Sequence, residues 1–314
     1  MRIQAARRLS YSTLMDLHKC PRRFVLGRLR AEKETNIHFA YGGSFGVGLQ
    51  ALMSGETLEI AIWEAFLAWP KDFDLMEEKL KDKKSFWYVI TMLEKFNSVK
   101  DQMFLDRGWE VATFNGKPAA ELGARIEFGD GFYYLLFIDL VLINRFTNEL
   151  KVFELKTTKY DQPSEALYAN SWQAILYSIF LDAIAKEYSI EAFSSYEVLY
   201  FIAKSSKLDF EPMPFKKTSL QKAKALQYIF QDITRIQSYE EAGSDFPMYG
   251  ESCFEFSSFK PCQFFGTCHM SLPTLSLKSP EELEIWEGDR DEEKEAARIS
   301  FTLHALDLIE GQLK

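Results

Sequence analysis

Glu121-Leu-Gly-Ala-Arg-Ile-Glu-Phe-Gly-Asp-Gly-Phe-Tyr-Tyr-Leu-Leu-Phe-Ile-Asp139 opens the stretch that organises this chain. Its two apolar runs are joined by a short glycine turn, which predicts a β-hairpin. A third run, Lys151-Val-Phe-Glu154-Leu-Lys156, follows a second polar turn and predicts a short strand beside the hairpin. The remaining chain is mostly helical in pattern, so the sequence predicts an α/β fold around a small mixed sheet flanked by helices.

Two carboxylates interrupt these apolar strands. Asp139 lies inside the second run, which continues to Ile143, and Glu154 lies inside the third. A carboxylate left unpaired in a dry interior costs several kcal/mol, so each acid needs a partner. A divalent cation is one such partner and Lys156 is another. Because residues i and i+2 of a strand face the same side, the heads of Glu154 and Lys156 are expected to meet Asp139 at one place in the sheet.

This combination suits metal-assisted phosphodiester hydrolysis. Two carboxylates can hold Mg²⁺ or Mn²⁺, which polarises a phosphate and lowers the pKa of a bound water. A lysine beside them can steady that water or the developing negative charge. The alternative is a buried carboxylate–lysine ion pair, and an isolated Glu-x-Lys triplet does not separate the two.

The wider constellation resembles a known family. An Asp in an apolar strand, Glu-x-Lys-Thr-Thr one strand later and Gln-x-x-x-Tyr on the next helix are similar to the RecB-like nucleases of the PD-(D/E)XK superfamily. The resemblance implies that Asp139 and Glu154 bind metal and that Lys156 is catalytic. It also implies that Gln173 and Tyr177, which share a helix face, contact the substrate or support the lysine.

The same resemblance extends to a glycine-rich segment beginning at Tyr41. In the family this region often carries a metal-contacting histidine, and Gln50 is the nearest match here. Either a second metal is held more weakly, or Gln50 only contacts DNA. The carbonyl of Leu155 is a further expected metal ligand. Glu121 is either another ligand or an exposed strand residue.

Four cysteines lie at opposite ends of the chain: Cys20, Cys253, Cys262 and Cys268. Four thiolates suit either a [4Fe–4S] cluster or structural zinc, and spacing alone also allows free thiols. The Ser-x-Ser…Cys-Pro-x-x-Phe opening and the Cys-x5-Cys spacing resemble AddB-type RecB-like nucleases. That resemblance implies a structural [4Fe–4S] cluster that joins the chain ends, with zinc as the alternative.

Charge is unevenly distributed. The net charge is −9, but nine acids and two bases between residues 281 and 297 account for −7 of it. Residues 1–30 hold eight bases and one acid, a patch able to track a phosphate backbone. Arg22 and Arg23 are therefore candidate DNA contacts, although solvated surface arginines are the equal alternative.

The domain organisation follows from these features. Residues 1–275 are predicted to form the nuclease domain, with a helical insertion at about 55–107, and residues 276–314 an acidic helical tail. Residues 291–313 suggest its final helix, with an apolar stripe through Ile299 and Leu303. No signal-like segment or membrane-length apolar run is present, which predicts a soluble, cytoplasmic protein, bacterial or in the host cytoplasm if phage-encoded.

The expected function is metal-dependent hydrolysis of single-stranded or end-containing DNA, by an exonuclease of replication, recombination or repair with a possible helicase partner. Two alternatives stay open. One is a DNA-binding or assembly module with the same fold, weak catalysis and a zinc or iron–sulfur staple. The other is a zinc-stapled structural protein of a phage or plasmid.

Overall fold

The structure is a computed structural model. It describes residues 7–29, 36–71, 73, 84–114, 116–158, 160, 165–169, 171–187, 197–241, 246–249, 254–255, 260–262, 264 and 299–313. Within these ranges, helices cover both faces of one large mixed sheet.

The strands are β1 (Arg8–Leu9), β2 (Trp109–Val111), β3 (Thr113–Phe114), β4 (Lys117–Pro118), β5 (Ala120–Gly129), β6 (Phe132–Asn144), β7 (Leu150–Thr158), β8 (Glu197–Lys204), β9 (Asp209–Lys216), β10 (Phe254–Glu255), β11 (Lys260–Pro261) and β12 (Ile299–His304). The main sheet has the order β12-β5-β6-β7-β8-β9, and β1 and β2 also pair with β6. The predicted hairpin is β5–β6, and the third predicted strand is β7, antiparallel to β6 and parallel to β8.

The helices are α1 (Tyr11–Lys19), α2 (Pro21–Leu29), α3 (Ile37–Met53), α4 (Leu58–Ala68), α5 (Phe86–Met103), α6 (Glu165–Ala169), α7 (Trp172–Glu187), α8 (Ser219–Glu241) and α9 (Ala305–Leu313), with a 3₁₀ turn at Leu105–Arg107. Helices α3, α4 and α5 build one core layer with β6, β7 and β8. Helices α7 and α8 build the larger layer on the other side. None of the described helices could cross a membrane.

Glycines let α3 lie close to its neighbours. The glycine-rich segment from Tyr41 lies inside α3. A Cβ on Gly48 would come within 2.7 Å of Leu93 on α5, and a Cβ on Gly42 within 3.3 Å of the Thr157 hydroxyl on β7. Glycine therefore allows this helix to approach both the helical layer and the end of the strand that carries Glu154.

The C-terminal tail differs from the sequence expectation. The predicted helix over residues 291–313 is wrong in its middle part, since Ile299–His304 form strand β12, parallel to β5. Only Ala305–Leu313 are helical, and residues 291–298 lie outside the described residues. Apolar residues of this segment fit an amphipathic helix, but β5 offers an otherwise open strand edge, and pairing with it satisfies the backbone of both segments.

Candidate active site

Strands β6 and β7 bring the two carboxylates together. Leu140 pairs with Phe153 in the antiparallel register, so Asp139 and Glu154 are the next residues along that ladder. The backbone N–H of Leu155 donates to Oδ2 of Asp139 at 2.7 Å. This hydrogen bond fixes the aspartate beside β7, where the i, i+2 pair of Glu154 and Lys156 is located.

Glu154 forms a close ion pair with Lys156. Nζ of the lysine lies 2.5 Å from Oε1 of the glutamate, whose side chain is only 4% exposed, while 34% of the lysine side chain is exposed. The second carboxylate oxygen, Oε2, is buried without a hydrogen-bond partner in the described part of the chain. A buried carboxylate oxygen without a partner is costly, and a cation beside Asp139 would remove that cost.

A chain of hydrogen bonds holds the lysine from the side of α7. Nζ of Lys156 donates to Oε1 of Gln173 at 3.3 Å, and Nε2 of Gln173 donates to the Tyr177 hydroxyl at 2.7 Å. That hydroxyl donates to the backbone carbonyl of Phe137 on β6, also at 2.7 Å. Gln173 and Tyr177 thus connect Lys156 to the strand that carries Asp139. The anchor on Phe137 could not be read from the sequence, because a backbone carbonyl leaves no signature there.

The electrostatics of the site are strongly perturbed. Burial, followed by the nearby charge of Glu154, raises the pKa of Asp139 well above its ordinary value of 3.8. Burial alone would lower the pKa of Lys156, but the charges of Glu154 and Asp139 outweigh it, and the pKa is raised. Burial and the same two carboxylates also raise the pKa of Tyr177, which stays a neutral donor. Lys156 therefore keeps its positive charge beside two acids that repel each other.

Gln50 and Glu121 border the same carboxylates. Nε2 of Gln50 donates to Oε1 of Glu121 at 3.1 Å and to the backbone carbonyl of Asp139 at 3.3 Å. Glu121 is exposed on β5, has a left-handed backbone with φ of +50°, and adds to the rise in the pKa of Asp139. A non-glycine residue in this conformation inside a strand is strained, and such strain concentrates at functional sites. The sequence alone had left Glu121 undecided.

The donor set suits a hard divalent cation with few protein ligands. In the part of the chain that the structure describes, no group of three His, Cys, Asp or Glu side chains could hold a metal ion. Asp139 and Glu154 would supply two carboxylates, and Gln50 and the Leu155 carbonyl are the remaining candidate oxygen donors. Mg²⁺ is typically bound by one or two carboxylates and keeps several waters, so two acids are compatible with it.

The predicted DNA-contacting arginines are engaged within the protein. Arg22 is buried and its backbone N–H donates to the carbonyl of Pro247. Nε of Arg23 donates to Asp16 at 2.7 Å, an ion pair within the N-terminal helices. The positions of these arginines in the sequence do not reveal such contacts within the protein. The assignment of Arg22 and Arg23 to DNA binding stays a prediction.

Two of the four cysteines predicted to bind the cluster lie within the described residues. Cys20 is buried and Cys262 half-buried, while Cys253 and Cys268 lie outside the described residues. Sγ of Cys20 accepts a hydrogen bond from the backbone N–H of Tyr249 at 3.5 Å. The N-terminal thiol therefore lies against the segment that leads to the other three cysteines.

Comparison with known proteins places this geometry in a family. No curated protein matches the chain. A crystal structure of a provisionally assigned exonuclease from Eubacterium rectale is similar over 87% of this chain and 94% of that chain, with 12% identity and a TM-score of 0.45. The sequence profile of the PD-(D/E)XK nuclease superfamily matches residues 8–269, a range that includes all of the acid, lysine, glutamine and tyrosine residues described above. The chain therefore belongs to the PD-(D/E)XK nuclease superfamily.

Proposed function

We propose that this protein is a nuclease that hydrolyses DNA with Mg²⁺ or Mn²⁺ and acts as an exonuclease on single-stranded or end-containing DNA. The observation that carries the proposal is the buried Oε2 of Glu154, which has no hydrogen-bond partner among the described residues and lies beside Asp139 and a charged Lys156. Nucleases of this superfamily generally use divalent metals. We further propose that the protein is of the RecB-like subtype, that it acts in replication, recombination or repair, and that it works with a helicase partner.

Each residue has a defined task in this scheme. Asp139 and Glu154 hold the cation, which when bound supplies charge stabilisation at the phosphate and a more acidic water. Lys156 places a fixed positive charge beside the scissile phosphate, where negative charge develops. Gln173 and Tyr177 keep the ammonium group in position, since a charge stabilises the transition state only where it is pre-oriented. Gln50 fixes the Glu121 carboxylate and the backbone at Asp139.

End-labelled linear DNA compared with a covalently closed circle tests the proposal. In Mn²⁺ or Mg²⁺ we expect linear DNA to be shortened progressively from an end and the closed circle to stay intact. EDTA should stop the reaction, because the carboxylates need a cation to bring the phosphate close. Labels on the 5′ and 3′ ends report the polarity. Linearisation of the circle would contradict exonuclease action, and no hydrolysis of any substrate in either cation would contradict the nuclease proposal.

The rival is a DNA-binding module with weak catalysis. Gln50 favours it mildly, since an amide is a poorer metal ligand than an imidazole or carboxylate and its Nε2 is already bonded to Glu121 and the Asp139 carbonyl. Binding of DNA without turnover in the same assay would favour this alternative.

We also propose that Cys20, Cys253, Cys262 and Cys268 hold a structural [4Fe–4S] cluster. Two contacts support it. Cys20 is bonded to Tyr249, four residues before Cys253 in the sequence. Phe254 pairs with Pro261 in the β10–β11 hairpin, and these two residues directly adjoin Cys253 and Cys262 in the sequence. The hairpin thus offers a reason why eight residues separate these two cysteines.

Metal analysis after anaerobic purification checks this. We expect about four irons per chain and a brown protein absorbing near ~400 nm, as for thiolate-bound clusters. Cys20→Ser should lose the iron and lower the unfolding temperature, because the link between the chain ends is broken. One equivalent of zinc in a colourless protein would show that the cysteines bind structural zinc instead of the cluster. A wild type without metal would contradict both assignments.

A further inference from the structure

A groove opens beside the candidate active site, between the first turns of α3 and the end of β7. It has a volume of about 330 Å³. Its lining includes Phe39 and Gly43 of α3 and Lys156 and Thr157 of β7. Lys84, two residues before the start of α5, also lines it. Lys156 therefore belongs both to the groove and to the carboxylate site, and whatever lies in the groove is next to the ammonium group that pairs with Glu154.

The groove presents an aromatic face and a basic interior. Phe39 is 72% exposed, so its ring is available to a ligand, whereas Lys84 is only 4% exposed, with Nζ 5.3 Å from the ring centroid of Tyr41. The N-terminus of α3, capped by Asn36, adds a partial positive charge at the same end. An exposed ring beside buried positive charge suits a ligand with a flat face and an anionic group.

The dimensions favour a single unpaired nucleotide. A volume near 330 Å³ is at the small end of the range for small-molecule sites. Gly43 is exposed and borders open space, because a Cβ there would meet nothing within 4 Å. Stacking on an aromatic side chain requires a free base face, which single strands and frayed ends offer and a paired duplex does not.

We propose that this groove binds one unpaired nucleotide of a single-stranded DNA end, with its base on Phe39 and its phosphate near Lys84, an inference that rests on the proposed nuclease function. The adjacent phosphate then lies at Lys156. The groove thereby selects single-stranded ends over intact duplex for delivery to Asp139 and Glu154.

Binding in EDTA separates the groove from the chemistry. Fluorescence anisotropy of a short labelled oligodeoxythymidine, compared with a blunt duplex, measures affinity without hydrolysis. We expect Phe39→Ala to weaken single-strand binding by about 5- to 150-fold, the loss of one stacked base. Gly43→Leu, which adds a side chain to the lining of the groove, should weaken it by at least about tenfold, and both variants should leave the weaker duplex binding unchanged.

Gly311→Leu is the matched control. Gly311 is also an exposed helical glycine with open space at Cβ, but it lies on α9, and its substitution should leave affinity at the wild-type value. Leucine has a higher helix propensity than glycine, so both leucine variants should unfold at or above the wild-type temperature.

Unaltered single-strand affinity in Phe39→Ala and Gly43→Leu would overturn the proposal, as would a wild type that does not prefer single strands, or one that prefers an RNA strand over DNA. The nuclease proposal is judged separately. If the wild type hydrolyses DNA but the groove variants bind normally, only the groove assignment fails. If the groove variants lose binding but the wild type hydrolyses nothing, only the nuclease assignment fails.

Discussion

Replacing Lys156 by alanine should reduce DNA hydrolysis by about 10²- to 10⁴-fold, the range for removing one pre-oriented charge or proton-transfer group. The reason lies in its position. Nζ is held by Glu154 and Gln173, and its pKa is raised by the two carboxylates, so it carries a positive charge throughout the working pH range. Initial rates on end-labelled linear DNA in Mn²⁺ measure the effect.

Lys151→Ala provides the control on the same strand. Lys151 also lies on β7, but its Nζ is 4.3 Å from the ring centroid of Trp109, away from the carboxylates. Its removal should leave the hydrolysis rate close to wild type. Lys156→Gln guards against loss of folding, because its amide can still donate to Glu154. Equal rates for wild type and both Lys156 variants would show that the lysine has no catalytic part.

Asp139→Asn should move activity and stability in opposite directions. Hydrolysis should fall by on the order of 10³-fold or more, because a neutral amide holds a divalent cation poorly and the cation supplies several kcal/mol of transition-state stabilisation. In EDTA the free energy of unfolding should instead rise by about 0.5 to 2 kcal/mol, the range for one stabilising substitution. Asparagine removes a half-buried charge beside Glu154 and can keep the hydrogen bond from Leu155.

The pH dependence of stability provides a separate test of whether the charge of Asp139 destabilises the folded protein. The pKa of Asp139 is raised in the folded protein, so the folded state binds more protons than the unfolded state above pH 3.8. The stabilisation is therefore complete below that value and is lost as pH rises through the raised pKa. Wild type in EDTA should become less stable over this window, and Asp139→Asn should respond less.

Urea unfolding with and without Mn²⁺ distinguishes this account from a general change in packing. Wild type should gain stability when the cation is added, since a ligand that binds only the folded state stabilises it. Asp139→Asn should gain little. If Asp139→Asn is less stable than wild type in EDTA, Asp139 does not destabilise the cation-free protein. If Mn²⁺ stabilises the variant as much as wild type, Asp139 is not a ligand of the cation.

Local pattern was sufficient for the elements that carry the site. The apolar runs around Asp139, Glu154 and Lys156, with the turns between them, predicted the hairpin and the third strand, and the structure confirms these as β5, β6 and β7. The helical insertion predicted at about residues 55–107 contains α4 and α5. Helical periodicity was misleading at Ile299–His304, because an apolar stripe cannot show that a vacant strand edge will be its partner.

The chemical set of the site is evident from the amino-acid sequence: two acids in apolar strands, a lysine two residues from one of them, and a glutamine and tyrosine four residues apart on a helix. These follow from side-chain identity and from fixed backbone periods. The folded structure was needed to show that Tyr177 is anchored on the Phe137 carbonyl, that Gln50 bonds Glu121, and that Arg23 is paired with Asp16. The first two contacts join residues 40 and 71 positions apart, and the third joins the neighbouring helices α1 and α2. All three depend on how the elements pack together, which no local period encodes.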